Sequence, residues 1–169
     1  NSRDARKLNK IANKNNRILC LDHTFLFSHE IEFLKQKIDN NSKYIELKRV
    51  NNGPFSTDLN VIEDLAPHDF SILDNIIPYE IKGVSANGVS ISNDIIQKAN
   101  ITVFYKDTDF TANIEVSWLE KEKLRKIRLL DMEMNELEYL NNNDYLSYFN
   151  YKTSKSSKIS IEKKESLFE

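Results

Sequence analysis

Apolar residues recur along this chain first at helical spacing and then in alternation, and the change of period falls near residue 79. Over residues 2–16, Ala5, Leu8, Ile11 and Ala12 lie at helical spacing with Arg and Lys between them. Residues 17–21 (Arg17, Ile18, Leu19, Cys20, Leu21) form a short apolar run of strand length after the helix stop Asn15-Asn16. Phe27, Ile31, Leu34 and Ile38 share one face of a second amphipathic helix. Residues 44–50 alternate, with Tyr44, Glu46 and Lys48 set against Ile45, Leu47 and Arg49, which predicts a half-buried strand. After the loop Asn51-Asn52-Gly53-Pro54, a third helix is expected to run up to Pro78. Pro67 suits a first helical turn, so the regular part of that helix is expected to begin there.

The remainder reads as β. Residues 101–105 and 111–118 flank the turn Lys106-Asp107-Thr108-Asp109, a hairpin signal. Residues 124–130 and 136–140 continue as strands, and the Ser/Lys-rich stretch 152–164 predicts a loop or an edge strand. The expected fold class is α+β: an open, mostly antiparallel sheet covered by helices on one face. A helix and a strand of the kind that close an α/β layer precede it.

Composition narrows the function classes. The 169 residues are 40% hydrophobic and 30% charged, a globular balance. Lys plus Arg number 24 against 26 Asp plus Glu, so no basic excess exists to hold nucleic acid, and no such partner is expected. The single cysteine excludes a disulfide framework, and Cys20, amid apolar neighbours, reads as core. No apolar run approaches the roughly 20 residues of a membrane helix, and no signal-peptide pattern opens the chain. The expectation is a cytoplasmic protein without a membrane partner. Gly53, Gly83 and Gly88, the only glycines, cannot make a dinucleotide fingerprint or a P-loop. The first residue is Asn1, inside an expected helix, which points to a piece of something longer.

The densest polar stretch among apolar residues runs from Asp58 to Asp69. Asp64 and His68 are four apart and share a helical face, and a histidine beside a carboxylate is suited to acid–base work near neutrality. In a first turn opened by Pro67, the helix dipole would keep His68 neutral and ready as a base. The alternative is a capping cluster, with Asp64 as N-cap and His68 and Asp69 merely solvated. His23 follows the expected strand 17–21, where α/β layers bind ligands; a capping role is its alternative. No metal-ligand spacing is present. The basic stretch Lys121 to Arg128 alternates with Leu124, Ile127 and Leu129, as the solvated face of a strand does. Trp118 reads as core or interface.

The run Asp58-Leu59-Asn60-Val61-Ile62-Glu63-Asp64-Leu65-Ala66-Pro67-His68-Asp69-Phe70-Ser71-Ile72-Leu73 resembles the substrate-domain helix of the Gfo/Idh/MocA oxidoreductases, the glucose–fructose oxidoreductase and inositol dehydrogenase family. Asp22-His23-Thr24-Phe25-Leu26-Phe27-Ser28 is similar to that family's link between its last Rossmann strand and its second domain. Ile114-Glu115-Val116-Ser117-Trp118 resembles a strand of its sheet. The chain departs from the family at Asp22, Leu26 and His29, where Gly, Arg and Pro are frequent, and it has no Glu-Lys-Pro lysine motif.

The resemblance implies that residues 1–22 are the remnant of a dinucleotide-binding domain. Residues 23–169 would then be a substrate and oligomerisation domain, cut near Ser166-Leu167-Phe168-Glu169. It further implies an oxidoreductase using NAD or NADP in its full-length form, acting on a hydroxyl of a sugar, sugar derivative or polyol. His68 would transfer the proton, Asp64 would share the catalytic site, and His23 and Asp69 would contact substrate. The isolated chain is expected to be inactive and to hold no cofactor, and the open sheet is expected to pair two copies. The alternative is a non-catalytic sugar-binding or oligomerisation module of the same fold.

Overall fold

The computed structural model describes residues 2–54, 58–91, 94–141 and 143–161. Helix α1 (Ser2–Lys14) is followed by an extended segment and a single 3₁₀ turn, Thr24–Phe27. Helices α2 (His29–Lys37) and α3 (Val61–Ile76) bracket strand β1 (Ser42–Asn52). Seven strands follow: β2 (Ile81–Val89), β3 (Lys98–Tyr105), β4 (Thr111–Ser117), β5 (Leu119–Asp131), β6 (Asn135–Leu140), β7 (Tyr145–Asn150) and β8 (Lys155–Ser160). They form one eight-stranded sheet in the order β2-β3-β4-β1-β5-β6-β7-β8. Only the β1–β4 pair is parallel. The architecture is the expected α+β sheet, with α2 and α3 on one face.

Alternation decides which side of the sheet is covered. Ile45 and Leu47 of β1, Ala112, Ile114 and Val116 of β4, and Ile127 and Leu129 of β5 are all buried beneath the helices. The opposite face carries Glu46, Lys48, Glu115, Arg128 and Glu136, joined into ion pairs Lys48–Glu115, Lys98–Glu115, Arg128–Glu46 and Arg128–Glu136. Helix α2 inserts Ile31 and Leu34 into the core and begins at Ser28, whose side chain accepts from Ile31 N. Its acidic first turn and basic last turn complement the helix dipole.

Several sequence expectations are corrected. Residues 17–21 are not a strand: a strand needs a ladder partner, none adjoins this segment, and Ile18 is 97% exposed. Cys20 is therefore exposed and not core. Helix α1 forms as expected, yet Leu8 and Ile11 on its apolar face are exposed. Phe27 lies in the turn before α2, also exposed. Strand β7 and the full length of β5 exceed the expected strands, because Tyr145 to Asn150 pair on both sides and strand pairing overrides a weak local pattern. The edge strand within 152–164 is present as β8. The terminal segment at 166–169 lies outside the described residues. No helix among the described residues is long and apolar enough to cross a membrane.

Helix α3 does not begin at Pro67. Asn60 caps it, accepting from Ile62 N at 2.9 Å and Glu63 N at 3.1 Å, while the Glu63 carboxylate accepts from Asn60 N. This capping box fixes the helix start one turn ahead of Asp64, and Val61 N donates to Ile96 O to seat it against the sheet. Pro67 sits inside the helix on the exposed side. The carbonyl it leaves unpaired, that of Glu63, belongs to a solvent-facing residue.

Candidate active site

His68 lies in the middle of α3, half-buried, and the segment before the 3₁₀ turn brings His23 to it. Their rings meet edge to face, centroids 5.7 Å apart, and Phe25 approaches the His68 ring at 6.3 Å. Since His68 is past the first helical turn, the dipole argument for its neutrality does not hold. Its pKa is lowered all the same, by burial first and by the charge of Arg49 second, with Asp69 opposing.

Asp69, the next residue, points inward. It is 3% exposed, and its carboxylate accepts from Arg49 Nε and Nη2 at 2.9–3.1 Å. Asp69, a substrate contact in the family resemblance and merely solvated in the capping alternative, is thus one half of a buried, bidentate ion pair. Burial pushes the Asp69 carboxyl above the usual range, against the pull of the Arg49 guanidinium. Asp64 is neither the N-cap nor a partner of His68: its Oδ2 accepts from Trp118 Nε1 at 3.1 Å. Trp118 is fully buried core.

Arg49, Phe25 and Arg125 join this cluster without a local sequence motif that marks them as site residues. The Arg49 and Arg125 guanidinium carbons lie over the Phe25 ring at 4.8 and 4.7 Å. The basic stretch Lys121 to Arg128 reads as a solvated face, but register with Arg49 turns Arg125 to the helix-covered side, with Ile127 and Leu129. A signal for Arg49 was present: it occupies an inward position of an otherwise apolar strand face, Ile45 and Leu47.

Among the described residues, the buried side-chain polar atoms without a hydrogen-bond partner are His23 Nδ1, Arg49 Nη1, Asn51 Oδ1 and His68 Nδ1. His23 abuts His68, Arg49 holds the neighbour of His68, and Asn51 follows Arg49 by two residues on β1. Buried polar atoms are ordinarily paired, so His23, Arg49 and His68 stand out as polar groups that the described residues leave unsatisfied. A cleft of about 750 Å³ runs from His23 along α3, past Phe70 and Asp74 to Tyr79 and Tyr105. That volume suits a small organic ligand. Among the described residues, no group of three His, Cys, Asp or Glu is placed to hold a metal ion.

Gly53 closes against the Trp118 side chain, while Gly83 and Gly88 lie within β2. None of them opens a helix, so the described residues do not fit a dinucleotide phosphate.

No family model matches the chain, and no curated protein matches it. Solved structures do. UDP-N-acetylglucosamine 3-dehydrogenase GnnA from Acidithiobacillus ferrooxidans superposes with a TM-score of 0.79 at 22% identity, over 98% of this chain and 54% of that one. An oxidoreductase from Sinorhizobium meliloti gives 0.74 at 15% identity, over 93% and 47%. The dehydrogenase MviM from Clostridium difficile gives 0.71 at 13%, over 89% and 48%. The fold is that of the C-terminal domain of Gfo/Idh/MocA-type oxidoreductases. The chain spans about half the length of these structures.

Proposed function

We propose that this chain is the substrate-domain half of an NAD(P)-dependent oxidoreductase acting on a hydroxyl of a sugar, sugar derivative or polyol. The observation that carries the reading is His68: a half-buried imidazole, biased toward neutrality, with an unpaired buried nitrogen. Its neighbours His23 and Pro67 line a ligand-sized cleft, on a fold shared with a nucleotide-sugar dehydrogenase.

In this reading neutral His68 accepts the proton of the substrate hydroxyl. His23 faces the same space and contacts substrate. Asp64, tied to Trp118 through one oxygen, binds a neighbouring hydroxyl instead of orienting the imidazole. Asp69 acts behind His68 through Arg49, since its carboxylate is enclosed by that pair. Oxidation of an alcohol calls for a hydride acceptor, which a nicotinamide supplies. The described residues offer it no cradle, so the reading places it on residues other than these. Residues 1–22 are assigned to the end of that cofactor-binding domain, in keeping with the uncovered Leu8, Ile11, Ile18 and Leu21. A cytoplasmic location accompanies this reading.

The test is His68→Ala in enzyme reconstituted with a dinucleotide-binding domain and screened for nicotinamide reduction against sugars and polyols. General-base loss should lower kcat by roughly 10²–10⁴-fold with little change in the urea midpoint. An unchanged kcat removes the role from His68, and an absence of turnover on every sugar and polyol removes the oxidoreductase reading.

A second reading, a non-catalytic sugar-binding or self-pairing module, is favoured by one observation. The sheet face opposite the helices is half-buried and laced with ion pairs such as Arg128–Glu46, a polar surface suited to a second copy. Sedimentation of the purified chain tests it; a monomer at high concentration counts against self-pairing.

A further inference from the structure

We propose that Arg125 anchors an anionic group of the substrate, a carboxylate or a phosphate, beside His68. The inference rests on the reading of the His68 surroundings as a substrate site.

Arg49 and Arg125 are cross-strand partners in the β1–β5 register. Like charges directly opposite each other in a sheet are destabilising, so the pair calls for a compensating charge. Asp69 is the one carboxylate found acting on both, and Arg49 takes it through Nε and Nη2 together. Arg125 is thereby left over. Its guanidinium makes no hydrogen bond or ion pair with any described residue and lies over the face of Phe25. A cation–π contact of this kind is worth about 0.5–1 kcal/mol at exposed sites and satisfies none of the guanidinium's donors.

The position of this surplus charge is what gives it meaning. Phe25 is the shared wall: Arg125 lies over its ring at 4.7 Å, and His68 meets it edge-on at 6.3 Å. Arg49 Nη1, on a side chain only 6% exposed, is unpaired in the same cluster. The cavity that Phe25, Arg49, Asp69 and Arg125 enclose between them holds about 10 Å³, roughly one water, and is too small for an anion. The ligand must therefore come from the half-exposed Arg125 side. A neutral sugar gains little from an uncompensated guanidinium, whereas a carboxylate or phosphate meets its planar fork with two parallel hydrogen bonds. Arg49 contributes by withholding Asp69, which would otherwise neutralise the site.

The test is calorimetry on the chain with glucuronate, glucose 6-phosphate, inorganic phosphate and glucose, alongside NMR of the His68 imidazole. An anionic probe should bind at least about tenfold more tightly than glucose, as hydrogen bonds to charged groups allow, and should move the His68 signal. Preference for glucuronate identifies a carboxylate, and preference for glucose 6-phosphate with inorganic phosphate identifies a phosphoryl group. Arg125→Gln should abolish the preference, Arg125→Lys should keep part of it, and Lys121→Gln, the same charge change at an exposed position of β5, should leave it intact. Equal binding of glucose and anions, no binding of any probe, or a preference that survives Arg125→Gln overturns the proposal. These outcomes are independent of His68 catalysis: loss of the preference in Arg125→Gln alongside normal turnover in His68→Ala would retain the anion site and discard the base.

Discussion

The indole Nε1 of Trp118 donates to Asp64 Oδ2 at 3.1 Å, joining the crossing between β4 and β5 to the first turns of α3. Gly53 N donates to the carbonyl of the same tryptophan at 3.0 Å, and Trp118 N donates to Gln97 O. One fully buried residue thus holds the end of β1, the segment before β3 and the helix bearing His68.

Asp64→Ala strands the buried indole N–H. It should cost about 1–3 kcal/mol of stability, the penalty of an unsatisfied buried donor. Asp64→Asn keeps an acceptor and should cost less. Urea denaturation of the two variants measures the difference, and equal losses would show that Trp118 finds another partner.

Removing one member of the Arg49–Asp69 pair leaves a buried charge alone. Asp69→Asn or Arg49→Met should each destabilise by about 3–5 kcal/mol. The double variant Arg49→Met with Asp69→Leu should recover most of that loss. Additive losses in the double-mutant cycle would mean that the pair is not coupled.

For His68 the sign of the pH effect follows from its depressed pKa. Burial and the Arg49 charge hold it below its ordinary value of 6.5, so below that pH the unfolded chain binds more protons than the folded one. Its contribution to stability is present in full above 6.5. It is lost progressively as pH falls from there through the folded midpoint. NMR titration should place the His68 midpoint below 6.5, and His68→Gln should reduce the loss on the acid side. A midpoint at or above 6.5 contradicts a neutral base.

Gly53 and Gly83 should respond oppositely to a methyl group. A Cβ at Gly53 overlaps the Trp118 ring, whereas one at Gly83 meets open space. Gly53→Ala should cost on the order of 3 kcal/mol through overpacking. Gly83→Ala should stay within about 0.5 kcal/mol, as surface changes do. Thermal melts of both variants decide it.

The fold was largely legible because alternation and helical spacing report directly on burial. Ile45, Leu47, Ile114 and Val116 announced their face, and the turn at Lys106 to Asp109 announced its hairpin. At the start of α3 two local signals compete: proline's preference for a first turn points to Pro67, while the spacing of Asn60 and Glu63 is a capping signal, and the capping box prevails. The segment at 17–21 misled because an apolar run states a tendency and not a partner. His68 and His23 were found as residue types. Arg49 and Arg125 were not, because their meaning depends on a pairing between strands some 76 positions apart in the chain, which no local pattern encodes.

The insertion of β1 between β4 and β5 also governs how the molecule comes into being. Strands β2 to β4 and β5 to β8 are each successions of neighbours and can zip up locally. The seam between them is β1, whose Lys48 must wait for Glu115, 67 residues later. Such long-range closure slows folding. During synthesis, β1, with its apolar face of Ile45 and Leu47, leaves the ribosome well before its partners exist. A nascent chain halted between residues 60 and 110 would therefore carry this central strand unpaired, and that interval is where a chaperone would find it.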